Sequence, residues 1–315
     1  MAAVFAIFLT CAIALLLDLL LGEPKKWHPL VGFGRLAQAL ETRLNLERYS
    51  AKQRLIRGGI ALLLLTLPVL AGLIFLSAQL SGFWLIALNS LILWLAIALR
   101  SLREHGLAVA VPLQNNDLAQ AQQQVSRIVS RQTSALDQPA VAAAATESIL
   151  ENGADAVFAS LFWFIVAGAP GVVLHRLVNT LDAMWGYRTP RFLYFGRCAA
   201  RLDDLLGWLP ARLTALTYCL LGQRRSAWHC WQQQAKQWDS PNAGPVMASG
   251  AGALQVRLGG PAPYFGGIKQ RPWLGTQQPA SAASIYAAIS LVRRGTWLWL
   301  AVLAGLCLLS VLGGS

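Results

Sequence analysis

The first 21 residues, MAAVFAIFLTCAIALLLDLLL, form a nearly continuous apolar stretch that only Thr10 and Asp18 interrupt. A helix needs about 20 predominantly apolar residues to cross a bilayer core, and this stretch has that length. No basic residue precedes the apolar run and no small-residue cleavage motif follows it, so a removable signal peptide is the weaker interpretation. We therefore predict a membrane-spanning helix over residues 1–21.

The composition of the whole chain agrees with a membrane protein. Of the 315 residues, 56% are hydrophobic and 13% are charged, whereas soluble domains carry about 25% charged residues. The net charge of +12 arises from 26 Lys and Arg against 14 Asp and Glu. The basic residues flank apolar runs, so we interpret them as topology signals and expect no nucleic-acid partner. The five cysteines show no disulfide or zinc-ligand spacing.

Three further stretches have the length and composition of spans, namely 58–80, 83–99 and 296–312. Two other apolar runs are interrupted, 156–174 by Gly-Ala-Pro-Gly at 168–171 and 205–221 by Pro210 and Arg212. Irregular backbone at membrane depth requires a cover of protein or a wet cavity, so we predict broken or re-entrant helices there. The expected fold is an all-α polytopic integral membrane protein with four spans, two broken or re-entrant helices, and cytoplasmic helices and loops. We expect one membrane-embedded domain over residues 1–315.

The distribution of basic residues predicts the orientation. Residues 23–57 hold eight Lys and Arg, and none precedes them. In a bacterial inner membrane this places the N-terminus outside and the first loop in the cytoplasm. Residues 175–204 hold five arginines; simple alternation puts them outside, but re-entrant neighbours keep them inside, which we prefer. The segments expected to face the cytoplasm are 23–57, 100–155, 175–204 and 223–294.

Carboxylates recur at helical spacing just before the run 156–174. Glu147, Glu151 and Asp155 are each four residues apart, so a continuous helix presents them on one face. They are either a solvated acidic face or a site for Mg²⁺, which uses few carboxylates together with substrate phosphates. We favour the metal site because the cluster lies at a membrane boundary.

Other polar residues also suggest sites. Residues 116–134 have a helical apolar period that predicts an amphipathic helix, with Arg127 and Arg131 on one face as a solvated pair or as a phosphate clamp. Asn179 and Asp182 share a helix face, whereas Asp203 and the next residue point to adjacent faces. An ion-pair network and a catalytic site are equally compatible with these residues. Residues 239–244, Asp-Ser-Pro-Asn-Ala-Gly, predict a turn.

In chain order, these blocks resemble a known family. The motifs are Asp18-x-x-x-Gly22-Glu-Pro24 with His28-Pro29, Glu147-Ser-x-x-Glu151-Asn152-x-x-Asp155, Leu161-Phe-Trp163, Asn179-Thr-Leu-Asp182-x-x-x-Gly186-Tyr187, Phe195-Gly196, Ala200-Arg-Leu-Asp-Asp204 with Pro210-Ala-Arg-Leu-Thr214, and Ser240-Pro-Asn-Ala-Gly244. From about residue 18 to residue 260 they resemble the CobD/CbiB family, the adenosylcobinamide-phosphate synthases of cobalamin biosynthesis. The family's usual Asp-Gly is Asp155-Ala156 here, and Ser160 replaces a frequent proline. Neither departure removes a polar group.

The resemblance implies an amide bond between the free propionate of adenosylcobyric acid and the amine of aminopropanol or its phosphate, with ATP and Mg²⁺ as expected cofactors. It marks positions without assigning roles. We hypothesise metal ligation by Glu147, Glu151 and Asp155, and catalysis by Asp182, Asp203 and Asp204. The residues expected to bind substrate and phosphate are Arg127, Arg131, Asn152, Asn179, Arg201, Ser240 and Asn242.

The expected partners are the corrinoid substrate, aminopropanol phosphate, the lipid bilayer and other membrane enzymes of the pathway. One competing interpretation is a transporter, because intramembrane polar groups and broken helices also mark transporters. Another is a non-catalytic regulatory membrane protein of the same superfamily. Against a transporter, the acidic residues lie beside the predicted spans, only Asp18 lies within one, and no inverted repeat is obvious.

Overall fold

The computed structural model describes residues 2–24, 28–264 and 267–312. Lys25 and Lys26 of the basic segment 23–57 lie outside the described residues. The helices are α1 (Ala2–Leu21), α2 (Pro29–Leu44), α3 (Ala51–Ala78), α4 (Gly82–Ala96), α5 (Leu99–Gln114), α6 (Leu118–Val125), α7 (Gln138–Gly153), α8 (Ser160–Trp185), α9 (Arg197–Leu221), α10 (Arg224–Gln234), α11 (Ala243–Leu254) and α12 (Ala282–Leu312). A π-helical turn spans Ala154–Ala159 and a 3₁₀ turn spans Ala235–Gln237. The strands are β1 (Arg257–Gly259), β2 (Ala262–Tyr264), β3 (Gly267–Lys269) and β4 (Trp273–Gly275).

Five helical stretches of the described chain are long and apolar enough to cross a membrane: Ala3–Leu21, Ala51–Ala78, Gly82–Gln114, Gln138–Trp185 and Ala282–Ser310. The predicted class, an all-α polytopic membrane protein, is confirmed. Each of the four predicted spans overlaps one of these stretches, and the interrupted run 156–174 lies in the fourth stretch. The only strands in the described part are two antiparallel pairs, β1 with β4 and β2 with β3.

Helix α8 is broken where the sequence predicts a break. Gly168 has φ 62° and ψ −154°, a conformation that is essentially confined to glycine. Pro170 follows within the same helix and has no N–H to donate. The predicted interruption of the run 156–174 is therefore confirmed.

Helix α9 is not broken, in contrast to the prediction for 205–221, because it runs as one helix through Pro210. A proline inside a helix leaves the carbonyl four residues earlier, here that of Leu206, without its N–H partner. The indole N–H of Trp163 donates to this carbonyl over 3.0 Å. A side chain from another helix thus replaces the lost backbone hydrogen bond, and the helix continues.

The chain forms two compact units. Unit 1 comprises Met1–Ala98, Ala159–Gly207 and Leu303–Ser315, and unit 2 comprises Leu99–Phe158 and Trp208–Val302. A single domain over residues 1–315 stays a prediction.

The core of unit 1 forms where α2, α3 and α8 pack together. Trp185 and Phe195 are fully buried, with ring centroids 5.0 Å apart in an edge-on arrangement. Gly58 on α3 permits the close approach of the chain at Phe195, because a Cβ there would lie 1.9 Å from the Phe195 carbonyl oxygen. This core fixes the end of α8 and the start of α9, which carry several of the predicted site residues.

Unit 2 is built around α7, which packs against α5, α6, α11 and β1. Asp137 caps α7, its carboxylate accepting from the Ala140 N–H over 2.9 Å, and a proline occupies the first turn. The alanine-rich first half of α7 is mostly buried, and small side chains let the neighbouring helices approach closely. The second half carries Glu147 and Glu151 to the edge of this core.

Candidate functional site

A polar cavity of about 290 Å³ lies beside α7 in unit 2. Its wall combines the second half of α7, the loop that precedes it, the turn at 239–240, the end of β2 at Tyr264 and the segment 269–272. The charged and amide side chains that line it are Arg131, Glu147, Glu151, Asn152, Asp239, Lys269 and Arg271. Three cations and three carboxylates therefore meet in one concave site.

Glu147 is the fixed centre of this wall. One carboxylate oxygen lies 2.5 Å from Arg131 Nη2 and 3.0 Å from Arg271 Nη1, and the other accepts from the Gly259 N–H over 2.8 Å. The residue is only 3% exposed. A buried carboxylate requires paired charges and hydrogen bonds, and here two arginines and a backbone N–H supply them. Glu147 thus holds both guanidinium groups in place.

Arg271 ties the strand region to this centre. Its Nε donates to the Gly260 carbonyl over 3.0 Å and its Nη2 to the Gly259 carbonyl over 3.2 Å. The guanidinium also lies over the Trp238 ring, 5.3 Å from the centroid. The sequence does not predict a role for Arg271 in the site. It contributes there only to the basic character of segment 223–294, and no recognisable motif surrounds it.

The predicted metal set is not assembled as the sequence suggested. No three His, Cys, Asp or Glu side chains within the described ranges are placed to hold a metal ion together. The continuous α-helix behind the prediction is absent, because α7 ends at Gly153 and Asp155 lies in the π-helical turn. There Asp155 interacts electrostatically with Tyr218. Glu147 is engaged by arginines, whereas Glu151 is exposed at the cavity.

The predicted amphipathic helix over 116–134 is too long. Helix α6 ends at Val125, and Arg127 and Arg131 lie beyond it, so they do not share a helix face. Tertiary hydrogen bonds hold the segment that follows, since the Gln132 N–H donates to the Pro263 carbonyl and the Ile128 carbonyl accepts from Ser148. Arg131 reaches the cavity, whereas Arg127 is exposed and outside its wall.

Of the three amide and hydroxyl residues predicted to bind substrate in unit 2, two lie at the cavity. Asn152 and Ser240 both line the cavity. The Ser240 Oγ accepts from the N–H groups of Asn242 and Ala243, which begins α11 after the predicted turn. Asn242 is directed elsewhere, since its Oδ1 accepts from Arg212 Nη1 over 3.2 Å.

A second polar cluster lies in unit 1, where α8 and α9 carry Asn179, Asp182, Asp203 and Asp204. The amide of Asn179 donates to Asp203 Oδ1 over 3.4 Å, and Arg176 Nη1 lies 3.5 Å from Asn179 Oδ1. Asp182 and Asp204 are close enough for their carboxylates to repel each other. Arg201, which also lies on α9, is exposed.

Two neighbours shape the carboxylates of this cluster. A Cβ at Gly186 would lie 2.1 Å from Asp182 Oδ1, so glycine makes the room in which the Asp182 side chain lies. Burial raises the pKa of Asp204, and the positive charge of Arg188 acts in the opposite direction. A carboxyl group with a raised pKa is a better proton acceptor than an ordinary aspartate. Sequence reasoning did not identify Arg188.

Comparisons with known proteins agree with the motifs. A family model described as CobD/Cbib protein matches residues 11–292. A protein named cobalamin biosynthesis protein CobD from Stutzerimonas stutzeri is 56% identical over 299 residues, covering 95% of this chain and 97% of that protein. Proteins of the same name from Chromobacterium violaceum and Rhodobacter capsulatus are 53% and 40% identical, each covering 92% of this chain and 93% of theirs. No solved structure matches.

Proposed function

Because the chain belongs to the CobD/Cbib family, and so has a role in cobalamin biosynthesis, we propose that it is an amide-forming ligase of that pathway. The proposed reaction joins the free propionate of adenosylcobyric acid to the amine of aminopropanol phosphate, or of the free alcohol, at the expense of ATP. Transfer of a phosphoryl group to the propionate gives an acyl phosphate and ADP. The amine then attacks the carbonyl carbon, phosphate leaves, and a base takes the amine proton.

The observation that carries this proposal is the arrangement of cations in the cavity. Arg131 and Arg271 are held by Glu147, and Lys269 lies at the same wall, where it pairs with Asp239 over 2.6 Å. Pre-positioned guanidinium groups suit phosphate oxygens, and they need no reorganisation when charge develops. The cavity would therefore bind the phosphates of ATP or the acyl phosphate.

The side chains of the cavity fit a magnesium ion only in part. Both Glu147 oxygens already accept hydrogen bonds, so we assign protein ligation to Glu151 with support from the Asn152 amide. Mg²⁺ binds through one or two carboxylates and takes its other ligands from phosphates and water. When bound, the ion would neutralise charge on the phosphates.

We assign proton transfer to the acidic cluster of α8 and α9. Asp204 has a pKa raised by burial, which suits a group that must accept a proton from an amine near neutral pH. Asn179 would hold Asp203 in place and Arg201 would contribute to substrate binding. In this proposal the protein lies in the bacterial inner membrane with its N-terminus outside and both polar sites in the cytoplasm. Other membrane enzymes of the pathway are the expected partners.

Purified protein in detergent tests the reaction. Incubation with adenosylcobyric acid, aminopropanol phosphate, ATP and Mg²⁺ should give the amide product by mass, with one ADP per product. The Arg131→Gln variant should lose most of this activity, while the exposed Arg127→Gln variant should keep it. Folded protein that gives no product, but moves a corrinoid across vesicle membranes, would support the transporter instead.

A further inference from the structure

Unit 1 contains a second cavity, of about 540 Å³, that the proposed reaction does not use. It lies where α2, α3, α4 and α8 meet, and its wall is almost wholly apolar. Phe33 on α2, Val69 on α3 and Ile92 on α4 illustrate its character. Because most of this wall is apolar, most of the ligand that fills it must be hydrocarbon.

The helices around the cavity indicate which hydrocarbon can reach it. Helices α3, α4 and α8 belong to stretches that are long and apolar enough to span a membrane. Leu36 and Val69 of the lining are 63% and 45% exposed, so the cavity opens toward the outside of unit 1. Apolar cavities do not hold water, and within a bilayer the molecules at such an opening are lipid acyl chains.

The polar lining residues add a charge preference. Arg176 and His28 both contribute to the wall. Arg176 is a permanent cation whose Nη1 lies 3.5 Å from Asn179 Oδ1, and His28 uses Nδ1 to accept from the Leu30 N–H at the start of α2. Arginine beside an apolar cavity complements a ligand with a long hydrocarbon chain and an anionic phosphate.

We propose that this cavity binds one membrane phospholipid with an anionic headgroup. An acyl chain fills the apolar space, and the headgroup, whose phosphate has no neighbouring choline cation to neutralise it, lies against Arg176. Gly32 on α2 lines this space, and nothing lies within 4 Å of the position where its Cβ would stand. Lipid binding at this site can be measured without the proposed ligase reaction, so failure of one proposal is distinguishable from failure of the other.

Substitution of Gly32 by leucine tests the proposal directly, because the leucine side chain would occupy the cavity. A Cβ at this position meets no atom within 4 Å, and leucine favours a helix interior over glycine, so Gly32→Leu should fold. Gly305→Leu is the matched control, since Gly305 on α12 also has nothing within 4 Å and does not line the cavity. Unfolding temperatures of both variants verify that each protein is folded.

Native mass spectrometry of delipidated protein, titrated with phosphatidylglycerol or phosphatidylcholine, measures binding. Wild type and Gly305→Leu should bind one phosphatidylglycerol with higher affinity than phosphatidylcholine. Gly32→Leu should bind about tenfold more weakly, and Arg176→Gln should lose about tenfold for phosphatidylglycerol alone. Equal binding by Gly32→Leu and Gly305→Leu, or no headgroup preference in the wild type, would overturn the proposal. If Gly32→Leu unfolds, Leu36→Trp at the opening of the cavity takes its place.

Discussion

At the residue scale, Gly186 shows how a missing side chain shapes the acidic cluster of unit 1. Its backbone φ of −70° is open to any residue, so the glycine is not required by conformation. Its role is to leave space, because the Asp182 carboxylate occupies the volume that a Cβ would need. A methyl group at this position must therefore push the carboxylate away.

We expect Gly186→Ala to displace Asp182 and to lower the rate of amide formation. The steric cost should also reduce the free energy of unfolding by about 1–3 kcal/mol. Gly34→Ala is the control, because the nearest atom to a Cβ there is Met184 Sδ at 3.6 Å, an ordinary contact. Rates and unfolding temperatures measured on both variants check this. Equal activities would mean that the position of Asp182 is unimportant for the reaction.

The assignment of Asp204 as the base predicts how activity depends on pH. As a base it must be deprotonated, so activity should rise as pH increases through its pKa. The positive charge of Arg188 lowers this pKa, hence Arg188→Gln should raise the pKa and move the rising limb of kcat/KM to higher pH. The shift should shrink at high salt, because Arg188 is exposed and its charge is screened.

A pH–rate profile of Arg188→Gln beside Arg197→Gln measures this shift. Arg197 is also exposed and is not among the charges that shift Asp204, so its variant should follow the wild type. A limb that moves to lower pH in Arg188→Gln would contradict the assignment of Asp204 as the base.

At the element scale, Glu147 joins α7 to the strand region that follows α11. Through Arg271 and the Gly259 N–H it holds β1 and the loop before β4 against the helix. Glu151, one turn later on α7, lines the same cavity but is exposed. Two carboxylates of one motif therefore have different environments: one organises the cations, and the other is exposed to a ligand.

This difference predicts that the same substitution at the two positions affects different properties, stability at Glu147 and the Mg²⁺ requirement at Glu151. Glu147→Gln leaves two buried arginines without a counter-charge and should lower the free energy of unfolding by about 3–5 kcal/mol. Added Mg²⁺ should not restore its activity. Glu151→Gln should keep the wild-type stability but require about tenfold more Mg²⁺ for half-maximal activity.

Thermal unfolding in detergent and Mg²⁺ titrations of the reaction distinguish the two variants. If excess Mg²⁺ rescues Glu147→Gln and the protein is as stable as wild type, then Glu147 is a metal ligand after all. If Glu151→Gln shows an unchanged Mg²⁺ requirement, the metal assignment to Glu151 fails.

At the scale of the whole molecule, the distribution of charges predicts which side of the membrane each loop faces. Residues 175–204, which include the acidic cluster of α8 and the start of α9, carry five arginines. We expect a cysteine at Thr189 to react with an impermeant maleimide only from the cytoplasmic side. Ser81, in the tight loop between α3 and α4, is the matched position expected to react from the other side.

Labelling of right-side-out and inverted vesicles tests this topology in a protein whose five native cysteines are replaced. The replacements should be tolerable, because four of these cysteines are buried as small apolar side chains and none forms a disulfide. Reaction at position 189 only from the periplasmic side would place the cluster outside and would remove its carboxylates from a cytoplasmic reaction.

Local sequence patterns were sufficient to predict the membrane class, the break in α8 and the turn before α11. Each depends on a short-range property: a run of apolar residues long enough to cross a bilayer, a Gly-Ala-Pro-Gly interruption, or a turn-forming composition. The sequence also indicates some of the residues that lie together, since Arg131, Glu151 and Asn152 line one cavity.

What the local pattern left undetermined depends on partners that are distant in the chain. Helix α9 continues through Pro210 because Trp163 supplies the missing hydrogen bond. Glu147 became an anchor for arginines because Arg271, 124 residues away, folds back onto it. Periodicity specifies which face of a helix a side chain occupies. The group that meets it there, a metal ion, a cation or a backbone amide, is chosen by long-range packing, which is why these roles emerge only from the folded chain.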